Sequence, residues 1–202
     1  MTLTELVVAM AILSIAMVVF LSTLTSIQRA SVNEDTRSRT VDQVRLAMQS
    51  IDRQVRSGNL LYNPNTAYGT PPLPASYTLL IYTQSNLPTV GPACVLWTID
   101  DSNRLLTRAW EPLFPENAIP PGATGWSVVA ENVINRVGGS PTPAFSLDPT
   151  GRTMTATLLV NTDLTGSPNA TQRIKSSVTG RNTSFGYPVN VCQDAPADLT
   201  PP

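Results

Sequence analysis

The chain has 202 residues, room for one membrane anchor and one globular domain of ordinary size. An apolar fraction of 42%, a charged fraction of 13% and 18 prolines exclude a disordered polyelectrolyte and favour a loop-rich β domain over a helix bundle. A formal net charge of −1 gives no long-range field to recruit nucleic acid, and the lack of any histidine removes His triads, His general bases and His-ligated metals.

The N-terminal segment comes first in the chain and in the argument. From Leu6 to Ile27 there is no charge, proline or glycine. A helix of that length spans about 33 Å, the thickness of a hydrocarbon core. A cleavable signal peptide needs a basic leader region and a small-residue cleavage site, whereas residues 1–5 hold no Lys or Arg and the apolar run passes directly into polar helix. Glu5 separates the remaining readings. A carboxylate within hydrocarbon costs about 2.5–3.5 kcal/mol and so calls for a partner. The α-amino group of Met1 precedes Glu5 by a full turn of the same helix and points away along the axis. In a helical array of identical copies, the amine of one chain can lie beside Glu5 of the next and set the register between them.

Met1-Thr2-Leu3-Thr4-Glu5-Leu6-Val7-Val8-Ala9-Met10-Ala11-Ile12-Leu13 resembles the processed N-terminus of type IV pilins and type II secretion pseudopilins. The resemblance implies that a short basic leader is removed by a prepilin peptidase, that Met1 is the mature first residue and is N-methylated, and that Met1, Thr2, Leu3 and Glu5 serve assembly. It further implies a single-pass precursor in the cytoplasmic membrane, handled by a pilus assembly machinery. The product would be a homo-oligomeric extracellular filament of a bacterial type, with no cofactor and no enzymatic activity. The motif covers about 15 residues. Two positions depart from the pattern of many major pilins, Ser14 in place of Gly and Ser22 in place of Pro. Ser22, Thr23, Thr25 and Ser26 can bond back to preceding carbonyls and bend the helix, so an extended stretch there is one expectation.

Helix-compatible sequence continues without Gly or Pro as far as Gly58. Beyond Gln28, Val41, Val44, Met48, Ile51 and Val55 recur at spacings of three and four and lay an apolar stripe on an otherwise polar helix. Asp35 with Arg39 and Asp52 with Arg56 are acid-then-base pairs four residues apart. The stripe needs cover, from the chain's own sheet or from a coiled-coil partner, and the strand-like sequence after Gly58 favours the sheet. The segment Val44–Arg56 also resembles J-type pseudopilins and W-type minor pilins. The expected fold is α+β, a long N-terminal helix on an antiparallel β-sheet head. Its parts are a transmembrane or filament-core helix (1–27), an amphipathic helix packed on the head (28–57) and a β-rich head (58–202).

Within the head, residues 58–76 read as a Pro/Asn/Gly-rich connection. Tyr77–Thr83 and Cys94–Ile99 have the β-branched and aromatic bias of strands, and Asp100–Asn103 turns into Arg104–Trp110 to make a hairpin. Pro112–Pro121 reads as a long loop. Trp126–Ala130, Ala144–Leu147, Thr153–Val160 and Arg173–Thr179 continue the β pattern, and Ala195–Pro202 reads as a loose tail. Pairing is the simplest use of Cys94 and Cys192 in an exported protein, with two buried free thiols as the alternative. Trp97, Trp110 and Trp126 form either sheet core or a glycan-stacking face. Asp100 and Asp101 read as turn chemistry ahead of a calcium site, Gly138-Gly139 as a turn, and the Asn169 and Asn182 sequons as chance matches. Three functions remain: a type IV pilus subunit, a minor pilin or pseudopilin priming a secretion pseudopilus, and a membrane-anchored ligand-binding ectodomain.

Overall fold

The computed structural model describes residues 2–68, 72–83, 92–110, 112, 125–137, 141–162, 171–181, 187–192 and 201–202. An unbroken backbone ladder, free of Gly and Pro, gives one helix, α1 (Leu3–Ser57). It ends where Gly58 begins the first strand. A side chain at Gly58 would sit 3.0 Å from both the Gln54 carbonyl oxygen and Ile81 Cγ2, so only hydrogen fits this helix-to-strand corner. Ser57 closes the last turn, its hydroxyl donating to the Arg53 carbonyl at 2.9 Å and lying 2.8 Å from the Thr83 hydroxyl.

The chain falls into two compact units, residues 1–39 and 40–202. In the first, α1 is exposed nearly throughout. In the second, Thr40, Val41, Val44, Ala47, Met48, Ile51, Gln54 and Val55 are buried on one face, while Asp42, Arg45, Leu46, Gln49 and Arg53 face solvent. The helix therefore contributes to the head's core from Thr40 onward.

The head contains two antiparallel sheets. The larger has the order β1 (Gly58–Leu61), β2 (Thr78–Thr83), β3 (Ala93–Ile99), β4 (Leu105–Trp110), β5 (Ser127–Ala130), a meander in which each strand pairs with its sequence neighbour. The smaller pairs β6 (Phe145–Leu147), β7 (Thr153–Asn161) and β8 (Thr171–Thr179) in the same way. Strand β1 corrects the reading of 58–76 as a plain connection. Gly and Asn open it against strand propensity, yet Leu60 and Leu61 place one apolar side chain on each face of the sheet and Leu61 pairs with Ile81.

The hairpin of β3 and β4 turns at Asp100–Asn103, with Asn103 in the left-handed region at φ 61°. The buried Asp100 carboxylate accepts from the Arg104 backbone N–H and from Arg104 Nε, each at 2.7 Å, and Asp101 pairs with Arg136. Both acids are thus engaged by arginines, and the geometry builds turn chemistry there in place of a calcium site. At the β6–β7 turn, the Asp148 carboxylate accepts from Thr150 Oγ1 and from the Arg152 and Thr153 N–H groups, which holds its carboxyl below the ordinary carboxylate range. Asn135 is fully buried and satisfied. Its amide nitrogen donates to the Thr142 and Thr157 carbonyls, and its oxygen accepts from Leu159 N–H, tying Asn135 to Thr142 and to β7.

Because side chains alternate along each strand, the larger sheet has two apolar faces. Leu61, Leu79, Ile81, Val95, Trp97, Ile99 and Leu105 join Val44, Ala47, Met48, Ile51 and Val55 of α1, with Phe145, Met154, Ala156, Leu158, Val160 and Val178 of the smaller sheet, in the main core. Leu60, Leu80, Tyr82, Cys94, Leu96 and Trp110 point the other way, into a second core with Leu73, Val191 and Cys192. The Pro112–Pro121 loop beyond Pro112, Gly138-Gly139, Asn169 and the Asn182 sequon lie outside the described residues. So do residues 193–200 of the tail; at its end Arg104 Nη2 donates to the Pro202 carbonyl.

Candidate assembly surface

The start of α1 is organised by Thr2 and Glu5. The Glu5 carboxylate accepts from the Thr2 backbone N–H at 2.8 Å, and Thr2 Oγ1 accepts in return from the Glu5 N–H at 3.4 Å. This is a reciprocal capping box, and it sets a negative charge at the positive end of the helix dipole. The partner that a carboxylate here calls for is thus supplied in part within its own chain, by Thr2. The signal was visible, because Thr-x-x-Glu before an apolar run is the capping-box spacing. Thr4 joins the cluster through a 3.0 Å contact between its hydroxyl and that of Thr2. Met1, assigned to methylation and assembly, lies outside the described residues. Leu3 is 82% exposed.

After this cap the helix is apolar and exposed. Leu6, Val7, Val8, Met10, Ile12, Leu13, Ile15, Met17, Val18, Val19, Phe20, Leu21, Leu24 and Ile27 are all exposed, Leu13 at 69% and Phe20 at 63%. From Leu6 to Leu21 only alanines and Ser14 interrupt them, so the exposed apolar surface there runs all round the cylinder, whereas Leu24 and Ile27 stand among serines and threonines. This helix is long and apolar enough to cross a membrane. Four of its hydroxyls are satisfied internally. Ser14 donates to the Met10 carbonyl at 2.8 Å, Ser22 and Thr23 to Val19 at 2.8 and 2.9 Å, and Thr25 to Ser22 at 2.9 Å. Hydroxyls bonded back in this way enter hydrocarbon without orphaned donors. They also leave the helix intact, and the extended stretch considered at the Ser22 cluster is absent: α1 is continuous through it.

The stripe residues of the same helix meet a different environment. Val44 and Val55 are fully buried, Ile51 nearly so, and Val41 and Met48 are buried at the margin of the core. Gln54, which the apolar pattern passes over, accepts from Trp97 Nε1 at 2.7 Å inside the core and so ties α1 to β3. Close approach at the far side is enforced by Gly180, where an added Cβ would lie 2.8 Å from the Val55 carbonyl oxygen.

Cys94 and Cys192 form a disulfide that closes a separation of 98 residues, their Cα atoms 5.7 Å apart. The tryptophans are divided between the two cores: Trp97 is buried on the helix side, Trp110 on the opposite face, and half-buried Trp126 packs at the edge of the second core with the Arg108 guanidinium 5.8 Å from its ring. They share no exposed face on which a sugar could stack. The second core is ringed by tyrosines. Burial pushes Tyr62 up from the ordinary phenol value, against the lowering effect of the Cys192 N–H that donates to its oxygen, and burial pushes Tyr68 up to about 12. Tyr82 rises for the same reason, helped by its neighbours Tyr187 and Tyr62.

Comparison with protein-family models, with curated proteins and with solved structures returned no match. The architecture rests on the chain's own features. A long apolar N-terminal helix packs its C-terminal half on an antiparallel sheet, and a disulfide closes the head.

Proposed function

We propose that this chain is a non-enzymatic structural subunit of the type IV pilin kind. In this reading α1 holds it in the cytoplasmic membrane, and the subunits then polymerise through residues 1–27 into an extracellular filament. The observation that carries the reading is the exposed, uncharged and largely apolar surface of residues 6–27, headed by one acid. Lipid can cover it, and so can identical helices. Burying half of roughly 2,000 Å² of such surface at about 25 cal/mol per Å² gives tens of kcal/mol gross, offset by lost lipid contacts and by ordering.

In the filament Glu5 would take a second partner beyond its own cap. Thr2 N–H occupies Oε2, and a carboxylate can accept at its second oxygen at the same time. The capping box therefore presents Glu5 to the amine of a neighbouring copy without being broken, adding register more than stability. Glu5→Ala should leave membrane insertion intact and lower incorporation into filaments sheared from the cell surface. Unchanged incorporation would remove the pairing. The likeness of Val44–Arg56 to J-type pseudopilins and W-type minor pilins supports a second reading, a minor pilin or pseudopilin that primes a secretion pseudopilus. Purified filaments separate the two, with this chain as their dominant component in the first case and a trace component in the second.

A further inference from the structure

The second core is closed by a strap. Residues 187–192 add no strand to either sheet, yet Val191 and Cys192 are buried against Leu60, Leu80, Tyr82, Leu96 and Trp110. Among its attachments are the disulfide to Cys94 in the centre of the sheet, the Cys94 sulfur 3.8 Å from the Val191 carbonyl oxygen, Cys192 N–H donating to Tyr62 Oη at 3.1 Å, and Tyr187 edge-on to Tyr82 with ring centroids 5.2 Å apart. One of these is covalent, and it lies inside the layer that it seals. No side chain of the second core belongs to the main core, and neither cysteine touches the helix side of the sheet.

We propose that the strap is a redox-operated latch whose opening uncovers the outer face of the larger sheet while the helix-side core stays closed. The chemistry is thiol–disulfide exchange with a dithiol reductant. A reductant thiolate attacks one sulfur of the Cys94–Cys192 bond and releases the other as a thiolate. The second reductant thiolate then displaces the mixed disulfide, so the dithiol leaves as its own disulfide while Cys94 and Cys192 each gain one electron and one proton. With the covalent tie gone, non-covalent contacts alone hold a segment that pairs with no described strand. Local opening of such a segment is drawn from the low-stability end of a fold. The surface uncovered carries Leu80, Tyr82, Leu96 and Trp110, an apolar and aromatic patch that the oxidised head conceals.

Amide hydrogen exchange on the full chain in detergent micelles, with and without dithiothreitol, tests this. Reduction should speed exchange in peptides covering 187–192 by at least about tenfold, and leave peptides covering Val44–Val55 within about twofold of the oxidised protein. The Cys94→Ala/Cys192→Ala variant should show the open pattern constitutively and ignore the reductant. If that variant fails to fold, the reduced wild-type chain alone decides. Acceleration of both regions together would overturn the latch, because the disulfide would then be a global brace. Unchanged exchange in 187–192 would overturn it too, because packing alone would then hold the strap.

Discussion

One helix carries two apolar surfaces with opposite fates. Residues 6–21 are apolar on all sides and exposed, whereas residues 40–55 are apolar on one face and that face is buried. The difference lies in the breadth of the apolar sector. A stripe repeating at three and four residues matches one sheet and leaves a polar face for water, so a single chain can satisfy it. A cylinder without a polar face has no orientation that satisfies it within a small head and requires lipid or many helices around it.

Substitution tests of this contrast should differ most in the buried stripe. Ile51→Ala removes a fully packed side chain and should lower head stability by about 2–5 kcal/mol, read as a shift of the denaturant midpoint. The matching change Leu13→Ala should shift that midpoint by less than about 0.5 kcal/mol, since Leu13 is exposed and outside the head's core. Equal effects would erase the distinction. Next in size is Gly180→Ala, which forces a Cβ against the Val55 carbonyl and should cost about 1–3 kcal/mol, again in the head alone.

How much of this was legible follows from how local each signal is. The helix needs only the absence of Gly and Pro over a long stretch, and the Val41–Val55 stripe needs only its spacing. The β3–β4 hairpin announces itself through Asp100–Asn103 between two β-rich runs. Strand β1 was hidden because Gly58 and Asn59 argue against a strand and its pairing with β2 is a tertiary fact. The bond from Trp97 to Gln54 is equally invisible, since a polar residue beside an apolar stripe reads as surface until its partner is placed. Division into two sheets, and of the tryptophans between two cores, depends on which remote strands pair. The Thr2–Glu5 box is the opposite case, a readable local pattern overshadowed by the intermolecular role given to the same carboxylate.

An alkaline titration sharpens the contrast between the two faces of the larger sheet. Tyr62, Tyr68 and Tyr82 have folded-state values raised by burial above the ordinary phenol value near 10, so the folded state favours the protonated phenols. Their contribution is fully present below about pH 10 and is lost as pH climbs toward the value of about 12 at Tyr68. Tyrosine absorbance should rise late, and fluorescence of Trp110 should respond before that of Trp97. Simultaneous change would mean that the two cores open as one. The smallest effect belongs to the helix start. Thr2→Ala removes the hydroxyl half of the capping box and should cost about 0.5–2 kcal/mol, detected as faster amide exchange confined to the first turn.

The most direct measurement is electron microscopy of filaments sheared from cells that express this chain, with mass spectrometry to identify the subunits. The proposed function predicts filaments containing this protein, with residues 3–27 bundled about the axis and the head outside. Recovery of the chain only as a membrane-bound monomer, from cells whose filament machinery is intact, would contradict it.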